Sequence, residues 1–399
     1  MTTQSVSYEV FFSPEFSADP YQVYAGLREK GPVHQVESPT AFTSFVIVDY
    51  EHGRAALSDP RFSKSVHNAP EQVRQMMLRD DPVLGDNMLM SDPPDHTRLR
   101  RVIAKAFTPR RVEELRPRVQ QITTELVDAM AAKHEADLIA ELAFPLPIRV
   151  ICELLGVPSS DRDDFREWSA ALLAAVTDEE GIAWRERATA DVRAYFGDLI
   201  ARRRAEPAGD LVSALVDTPE LSDRELLSTL VLLMIAGHET TVNLIANGTL
   251  ALLRNPGQLE RLRGRPDLVP AAVEEFLRYD APVERATFRV AVEDVDVAGT
   301  LIPAGSFVTI SIGAAGRDPA AFEDADRLDV TRAENRHVAF GHGIHFCLGA
   351  PLARMEGQIA FTTLLERLPD LRLGCEVSEL GWRFSGSIIR SLSALPVRY

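Results

Sequence analysis

The longest hydrophobic stretch of the chain, residues 226–253, follows the polar segment Ser222-Asp223-Arg224-Glu225. Serine followed three residues later by glutamate forms a capping box, which predicts a helix that begins here and runs to about Asn255-Pro256. At about 1.5 Å per residue this helix would be about 45 Å long. Its uncharged part, residues 226–237, is too short to cross a bilayer. We therefore expect a buried helix that passes through the body of the protein, not a membrane anchor.

Shorter segments with helical or strand-like periodicity precede and follow this long helix in the sequence. Helical spacing occurs at residues 20–30 and 50–57, after Asp95, at several places in 117–204, and after Pro270. Strand-like runs occur in two patches, 33–36 with 45–48, and 288–292 with 295–297 and 306–312; residues 371–399 resemble strands and turns. The pattern predicts a mainly α protein with small β-sheets.

Composition excludes several classes of protein. Of the 399 residues, 45% are hydrophobic and 26% charged, which is typical of a globular protein. The formal net charge of −16 argues against nucleic acid or an anionic membrane as a partner. Cys152, Cys347 and Cys375 are too few and too scattered for a disulfide framework, which favours a reducing cytoplasm. The N-terminal residues lack the pattern of a signal peptide.

One segment reverses the acidic character of the chain. Residues 98–111 contain basic residues and no acidic one: Arg98, Arg100, Arg101, Lys105, Arg110 and Arg111. His96 and Arg100 are four residues apart and would share a helix face. The segment is either a solvated basic face or an anion site, and the anion would be a ligand's carboxylates or an acidic protein partner.

The middle of the long helix carries the polar string A-G-H-E-T-T, residues 236–241. The Thr240 hydroxyl can bond back to the Ala236 carbonyl, and Gly237 weakens the helix, so we expect the backbone to open locally. Glu239 in apolar surroundings is costly unless it is paired, hydrated or protonated. The string is either a capped, water-filled kink or an acid–alcohol pair that delivers protons to a bound ligand.

The string F-G-H-G-I-H-F-C-L-G, residues 340–349, places Cys347 among glycines and directly before an amphipathic helical segment. A helix N-terminus favours negative charge, and so favours a thiolate over a thiol. Three interpretations fit these residues: an inert buried cysteine, a zinc site with His337, His342 and His345, or a thiolate that acts as metal ligand or nucleophile. Structural zinc usually needs at least two closely spaced cysteines, which argues against the second.

This string resembles the haem-thiolate loop of the cytochrome P-450 family at Phe340, Gly341, Gly343, His345, Cys347 and Gly349. Three further family signals occur in the same order: H-x-x-x-R, A-G-x-E-T-T and E-x-x-R. The resemblance spans essentially the whole chain. It implies a soluble bacterial-type cytochrome P-450 similar to actinobacterial enzymes of secondary metabolism. It further implies one domain over residues 1–399, a long central helix crossing the haem, a β-rich subregion and a cytoplasmic location.

The resemblance also implies roles for individual residues around a haem b cofactor. Cys347 would supply the axial thiolate to the iron, and Glu239 and Thr240 would manage protons on the opposite face. The residues implied to contact the haem, four of them through its propionates, are His96, Arg100, Arg289, His345, Phe340, Gly341, Gly349, Ala236 and Gly237.

A structural ion pair is implied by the E-x-x-R motif, Glu275 and Arg278, with a downstream arginine for which we choose Arg327. One departure from the family pattern is Gly316, where an asparagine is usual. We expect that departure to change a loop rather than the mechanism.

The resemblance implies that electrons come from a ferredoxin and its reductase, with NAD(P)H upstream, because no flavin- or nicotinamide-binding glycine pattern occurs. We expect docking near Arg101, Lys105, Arg110 and Arg111. The substrate would be an apolar small molecule such as a macrolide or other polyketide, hydroxylated or epoxidised. Residues 65–90, 165–205 and 386–389 would line its pocket. Two alternatives are a peroxide-driven peroxygenase and a non-enzymatic haem protein that binds a ligand or gas.

Overall fold

The structure is a computed structural model that describes residues 4–37, 43–71, 74–75, 83, 85–174, 178–383 and 388–399. Helices dominate it. Among the described residues they are α1 Pro14–Ala18, α2 Pro20–Lys30, α3 Tyr50–Ser58, α4 Asp95–Ala106, α5 Pro109–Glu114, α6 Arg116–Ala131, α7 Pro145–Leu155, α8 Arg162–Leu173, α9 Glu179–Ala205, α10 Leu211–Leu215, α11 Asp223–Leu253, α12 Pro256–Gly264, α13 Val269–Tyr279, α14 Ile312–Gly316 and α15 Ala350–Arg367. The prediction of a mainly α protein is confirmed.

The strands form three small sheets among the described residues. They are β1 Ser5–Ser7, β2 Val33–Glu37, β3 Ser44–Ile47, β4 Phe62–Ser63, β5 Glu135–Asp137, β6 Arg289–Ala291, β7 Val295–Val297, β8 Thr300–Ile302, β9 Phe307–Ile310, β10 Arg372–Leu373 and β11 Pro396–Arg398. The largest sheet has the order β1-β2-β3-β9-β6-β4, and β10-β11-β5 and β7-β8 form two smaller ones. The two β-rich patches expected from the sequence are therefore largely one sheet, joined where β3 pairs in parallel with β9.

Helix α11 is the central element, as its hydrophobicity predicts. Its capping box is formed: Ser222 Oγ accepts a hydrogen bond from the backbone N–H of Glu225 at 3.2 Å, and the Glu225 carboxylate accepts one from the Ser222 N–H at 2.9 Å. It packs against α7, α13 and α15. At Gly248 a β-carbon would lie 2.7 Å from Phe361 Cζ and 2.9 Å from Phe276 Cδ2, so α13 and α15 approach its backbone closely.

The length and apolar character of α11 also meet the criteria for a membrane-spanning helix. Among the described residues it is the helix that does so, and 72% of its most apolar window is buried inside the protein. A core helix of a globular protein has the same properties. The burial supports the interpretation of α11 as a core helix.

A buried ion-pair network joins α13 to the segment before the cysteine loop. Arg278 forms two hydrogen bonds with Glu275, at 2.7 and 2.8 Å, and neither side chain is exposed to solvent. Glu275 also accepts hydrogen bonds from Arg332 at 3.1 Å, from Asn335 at 3.0 Å and from the Asp329 N–H at 2.8 Å. Saturation of this kind is what a buried carboxylate requires.

The choice of Arg327 as the third member of this network is wrong. Its side chain is 62% exposed and pairs with Asp324 and Asp329, and it contributes only its backbone carbonyl, which accepts from Arg278 at 3.1 Å. Arg332 takes the place beside Glu275. Both arginines follow Glu275 by more than fifty residues, and the chain turns the later one inward.

Gly316 ends α14 and does not alter a loop, contrary to our expectation. Its carbonyl accepts a hydrogen bond from Arg278 at 2.7 Å. A β-carbon at this position would lie 2.3 Å from the backbone oxygen of Arg278, so a larger residue would displace α13. The glycine is a packing requirement of the ion-pair network.

Candidate active site

The cysteine loop is held by its own backbone and by helix α3. The N–H of Cys347 donates to the Phe340 carbonyl at 2.8 Å, and the Phe346 N–H donates to the Gly343 carbonyl at 3.1 Å. Gly341 and Gly343 have φ angles of 73° and 75°, which glycine adopts without strain. At Gly343 a β-carbon would also lie 2.9 Å from the Ser58 β-carbon in α3. The loop therefore presents Cys347 in one fixed position, three residues before α15.

The sulfur of Cys347 lies in a mixed electrostatic environment. Burial among protein atoms raises its pKa, although one face of the residue is exposed. The backbone N–H groups of Gly349 and Ala350 and the charges of Arg100 and Arg354 act in the opposite direction and are outweighed. The backbone N–H groups at the start of α15 thus act as expected of a helix N-terminus and favour the thiolate, but burial has the larger effect. A metal ion bound at the sulfur would reverse the balance, because a coordinating thiol is deprotonated.

Phe340, at the start of the loop, is fixed by an ion pair behind it. The Arg354 guanidinium lies 4.5 Å from the centre of the Phe340 ring and forms hydrogen bonds of 2.7 and 2.8 Å with Glu274. His337 lies 3.1 Å from the same carboxylate. Burial raises the pKa of Glu274, but these partners have the larger effect and lower that pKa to about 2. Sequence reasoning did not find this ion pair.

The structure brings together the four residues expected near the haem propionates. His96 and Arg100 lie on α4, Arg289 in β6 and His345 in the cysteine loop. The rings of His96 and His345 are 4.4 Å apart, and Arg100 donates to the Phe346 carbonyl at 2.7 Å. Burial, followed by the neighbouring positive charges, lowers the pKa of His345 to about 3.

Lys64, which sequence reasoning missed, adds a further cation to this cluster. It is 1% exposed and donates to Thr287 Oγ1 at 2.7 Å and to the Phe288 carbonyl at 2.8 Å. Burial, and then the charge of Arg289, lowers its pKa well below the ordinary value. A lysine that is almost completely buried could have been found only from the packing, because nothing in the local sequence predicts its burial.

The cluster carries more positive than negative charge. Among the described residues Lys64 and Arg289 face one carboxylate, Asp92, which accepts a hydrogen bond from the backbone N–H of Lys64 at 2.9 Å. Arg100 faces the sulfur of Cys347. Both ring nitrogens of His96 are buried without a hydrogen-bond partner in the described part of the chain. Buried cations are normally paired. The residues present therefore fit a ligand with two negative charges, such as the two propionates of haem.

The polar string of α11 leaves three residues at least partly exposed and buries three. Ala236 is exposed and Gly237 and Thr240 are half-buried, whereas His238, Glu239 and Thr241 are buried. Thr240 Oγ1 donates to the Ala236 carbonyl at 2.9 Å, as predicted. The helix nevertheless runs without interruption from Asp223 to Leu253, so the predicted local opening is absent from it.

Glu239 is paired, and its partner is the preceding residue. His238 Nε2 lies 3.5 Å from Glu239 Oε1. Burial raises the pKa of Glu239, but His238, Arg383 and Arg166 together outweigh that effect and leave it lowered. Sequence reasoning missed this contact because consecutive residues of a helix do not normally face each other.

The basic segment of α4 and α5 is divided between the interior and the surface. Arg98 turns to Glu225, at 2.5 Å, and so ties α4 to the start of α11. Arg101, Lys105 and Arg111 are exposed, and Arg110 pairs with Glu114 at 3.0 Å. Both uses considered for the segment thus have residues available to them.

The expected pocket-lining segments are only partly described. Most of residues 72–82, together with 84, 175–177, 386 and 387, lie outside the described residues. Asn87 donates to Ser228 in α11 at 3.1 Å, and Met88 is buried with Leu99, Ile103 and Leu232. Met88 is therefore a core residue.

No group of three or more histidine, cysteine, aspartate or glutamate side chains in the described part of the chain could hold a metal ion. Cys347 can supply one sulfur ligand, which is sufficient for an iron that a haem carries.

The fold and site together define a haem-thiolate protein. Residues 11–170 and 266–369 match the family described as Cytochrome P450, and the chain belongs to that family. It is 49% identical over 392 residues to the cytochrome P450 monooxygenase PikC of Streptomyces venezuelae. The aligned region covers 96% of this chain and 92% of that protein. It is 47% identical to the mycinamicin IV hydroxylase/epoxidase of Micromonospora griseorubida, with 94% of each chain covered.

A solved structure gives the same result for the fold. The cytochrome P450 PksS of the Bacillus subtilis 168 bacillaene polyketide synthase matches with a TM-score of 0.90 and 41% identity, over 97% of this chain and 98% of that one. The protein is therefore a cytochrome P450 monooxygenase, and its cofactor is haem b, which this family binds through a cysteine thiolate.

Proposed function

We propose that Cys347 would supply the thiolate that binds the haem iron of this monooxygenase and that the enzyme oxidises a polyketide or related apolar metabolite. The observation that carries the first part is the position of Cys347. It lies on a fixed, glycine-rich loop beside a buried cluster with unbalanced positive charge. When bound, the haem supplies reductive activation of dioxygen, which electron donation from the thiolate favours.

Five residues of this chain would hold the haem carboxylates. His96, Arg100, Arg289 and His345 are those expected from the sequence, and Lys64 joins them. Charge-assisted hydrogen bonds to carboxylates are short and strong, and they would satisfy the nitrogens of His96. Further residues would contact the faces of the ring: Ala236, Gly237, Phe340, Gly341 and Gly349.

Residues of α11 would handle the protons that the reaction consumes. The Thr240 hydroxyl donates to Ala236, so its oxygen is free to accept a hydrogen bond from water or substrate. Glu239, with its lowered pKa, is ionised at neutral pH and can accept a proton from water and pass it on. The N–H groups of Gly349 and Ala350 would hold charge on the sulfur of Cys347.

The electron donors would be a ferredoxin and its reductase, using NAD(P)H, with the enzyme acting as one domain in the cytoplasm. Positive charge is offered by four exposed residues, Arg101 and Lys105 on α4 and Arg110 and Arg111 on α5. Arg100, also on α4, reaches the cysteine loop. Positive charge at that position would attract an acidic ferredoxin. Reversal of these charges would lower the rate of electron transfer and weaken its dependence on salt.

The substrate class is supported by the names of two relatives. One acts on mycinamicin IV as hydroxylase and epoxidase, and the other belongs to a polyketide synthase. A carbon–hydrogen bond or a double bond of a similar apolar molecule would be the site of oxidation.

The test is the spectrum of the reduced, CO-bound enzyme. Wild type should give the red-shifted Soret band of a thiolate ligand, Cys347→Ala should lose it, and the control Cys375→Ala should keep it. If Cys347→Ala retains the band, the assignment is wrong. Turnover of a panel of polyketides with ferredoxin and reductase, compared with peroxide alone, tests the reaction and its electron source.

A further inference from the structure

His238 lies in the middle of α11 and is fully buried. Its Nδ1 is 2.7 Å from the Met234 carbonyl. A carbonyl oxygen only accepts, so Nδ1 carries a proton. The other ring nitrogen, Nε2, is buried and lies 3.5 Å from Glu239 Oε1, which is the contact that pairs the two residues. The backbone has therefore fixed which nitrogen faces the carboxylate.

The surroundings of this pair keep it in place. The ring of Phe144 packs edge-on against the His238 ring, at 5.9 Å between centres, and the Arg166 guanidinium of α8 lies 4.6 Å from the centre of the Phe144 ring. Arg166 and Arg383, which follows the C-terminal β-bridge residue Trp382, are the other charged groups whose fields reach Glu239. Both are exposed, and solvent screens them. The imidazole is the closest group that can change its charge.

The two residues differ in their access to solvent. The Glu239 side chain is 12% exposed, whereas His238 is not exposed at all. A proton can therefore enter or leave the pair only through the carboxylate. His238 cannot be part of a through-going path, because it lies behind Glu239 with its other nitrogen occupied by Met234.

We propose that His238 is a positioning and proton-storing residue for Glu239. In one state the carboxylate faces an imidazolium. In the other the Nε2–H bond has broken, an Oε1–H bond has formed, and the neutral imidazole accepts from that hydroxyl. One proton is thus shared by the two residues and moves from one to the other. The next proton comes from water at the exposed side of Glu239. This inference rests on the proposed role of Glu239.

Two substitutions of His238 separate proton storage from packing. His238→Phe keeps an aromatic ring but neither nitrogen. His238→Gln keeps a neutral donor that can reach Glu239 but cannot hold a proton. Removing the positive charge raises the pKa of Glu239, so the acid limb of product formed per NADPH moves to higher pH in both variants. At neutral pH we expect about a tenfold fall in that ratio, because neither variant can hold the stored proton.

Haem content, the CO-bound spectrum and the substrate-induced difference spectrum should stay as in wild type, because neither variant touches the haem or the cysteine loop. Should His238→Phe fold poorly, His238→Gln still decides the matter. If either variant keeps the wild-type ratio and pH profile, or if His238→Gln restores what His238→Phe loses, His238 acts through structure alone and the proposal fails.

A second readout does not depend on turnover. NMR of the reduced, CO-bound enzyme, labelled at the histidine ring nitrogens, reports on Nε2 of His238, the nitrogen that faces Glu239. Glu239→Gln should move that signal toward the neutral form, and an unchanged signal would overturn the pairing. Glu239→Gln also separates the two proposals. If it keeps full product yield per NADPH, the role of Glu239 fails; if it loses yield while the His238 variants do not, only the role of His238 fails.

Discussion

Two buried glutamates, Glu275 and Glu239, differ in how completely their carboxylates are paired. Glu275 on α13 accepts hydrogen bonds from Arg278, Arg332, Asn335 and a backbone N–H, and has no exposed surface. Glu239 on α11 has a histidine nitrogen at 3.5 Å and keeps some contact with solvent. A carboxylate whose hydrogen bonds are all made is fixed in one protonation state and stabilises the fold. A carboxylate with few hydrogen bonds can exchange a proton and take part in catalysis.

The strongest test of this comparison is Glu275→Gln, which removes the charge that Arg278 and Arg332 face. Because buried cations would be left uncompensated, we expect the free energy of unfolding to fall by about 3–5 kcal/mol. Chemical denaturation followed by circular dichroism measures it. Glu334→Gln, at an exposed pair with Arg336, is the control and should change stability by about 0–1 kcal/mol. Equal effects of the two substitutions would show that Glu275 has no special structural role.

Glu239→Gln should have the reverse profile, with stability near wild type and a loss of function. The rate of product formation should fall by about a hundredfold, or about 2.7 kcal/mol of activation free energy, because a positioned acid–base group is lost. Steady-state assays with measured NADPH consumption check this. Glu260→Gln, at an exposed pair with Arg263, should leave the rate unchanged. A destabilised but fully active Glu239→Gln enzyme would invert the comparison.

Glu274 is an intermediate case, held by Arg354 and His337 beside the cysteine loop. Its folded-state pKa, about 2, is below the ordinary 4.5, so its contribution is complete above the ordinary pKa and is lost as the pH falls toward 2. The lowering corresponds to about 3 kcal/mol at neutral pH before solvent screening reduces it. The stability difference between wild type and Glu274→Gln should therefore shrink from pH 6 to pH 4. A difference independent of pH would contradict the pairing.

The smallest expected effect is the difference in stability between variants of the two arginines near Glu275, Arg332 and Arg327. Arg332→Met removes a hydrogen bond to a buried carboxylate and should cost about 1.5–3 kcal/mol of unfolding free energy. Arg327→Met removes an exposed ion pair and should cost less than about 1 kcal/mol. Thermal denaturation of both variants under one set of conditions provides the measurement. If Arg327→Met were the more destabilising, the network would be wrongly assigned.

Features that depend on neighbouring residues could be predicted from the sequence. The capping box of α11, the bounds of α2 and the bond from Thr240 to Ala236 were all predicted, because caps and i to i+4 contacts are local. The cysteine loop could be recognised because its glycines are required by its own backbone.

Features set by the packing of distant segments could not be predicted. The pairing of β3 with β9, the burial of Lys64 and the choice of Arg332 over Arg327 join parts of the chain that only the fold brings together. The thiol of Cys347 is a further example. The local helix N-terminus lowers its pKa, but burial by the whole protein is the larger effect and is invisible in the sequence.

The contact between Gly343 and Ser58 has a consequence for the order of folding. It joins the cysteine loop to α3, and Lys64 reaches Phe288 across a similar separation in the chain. Contacts between such distant segments are slow to form, since the entropy of closing long loops must be lost first. The cofactor pocket is therefore complete only after the N-terminal and C-terminal parts of the chain have met, and haem uptake should report a late step in the maturation of the enzyme.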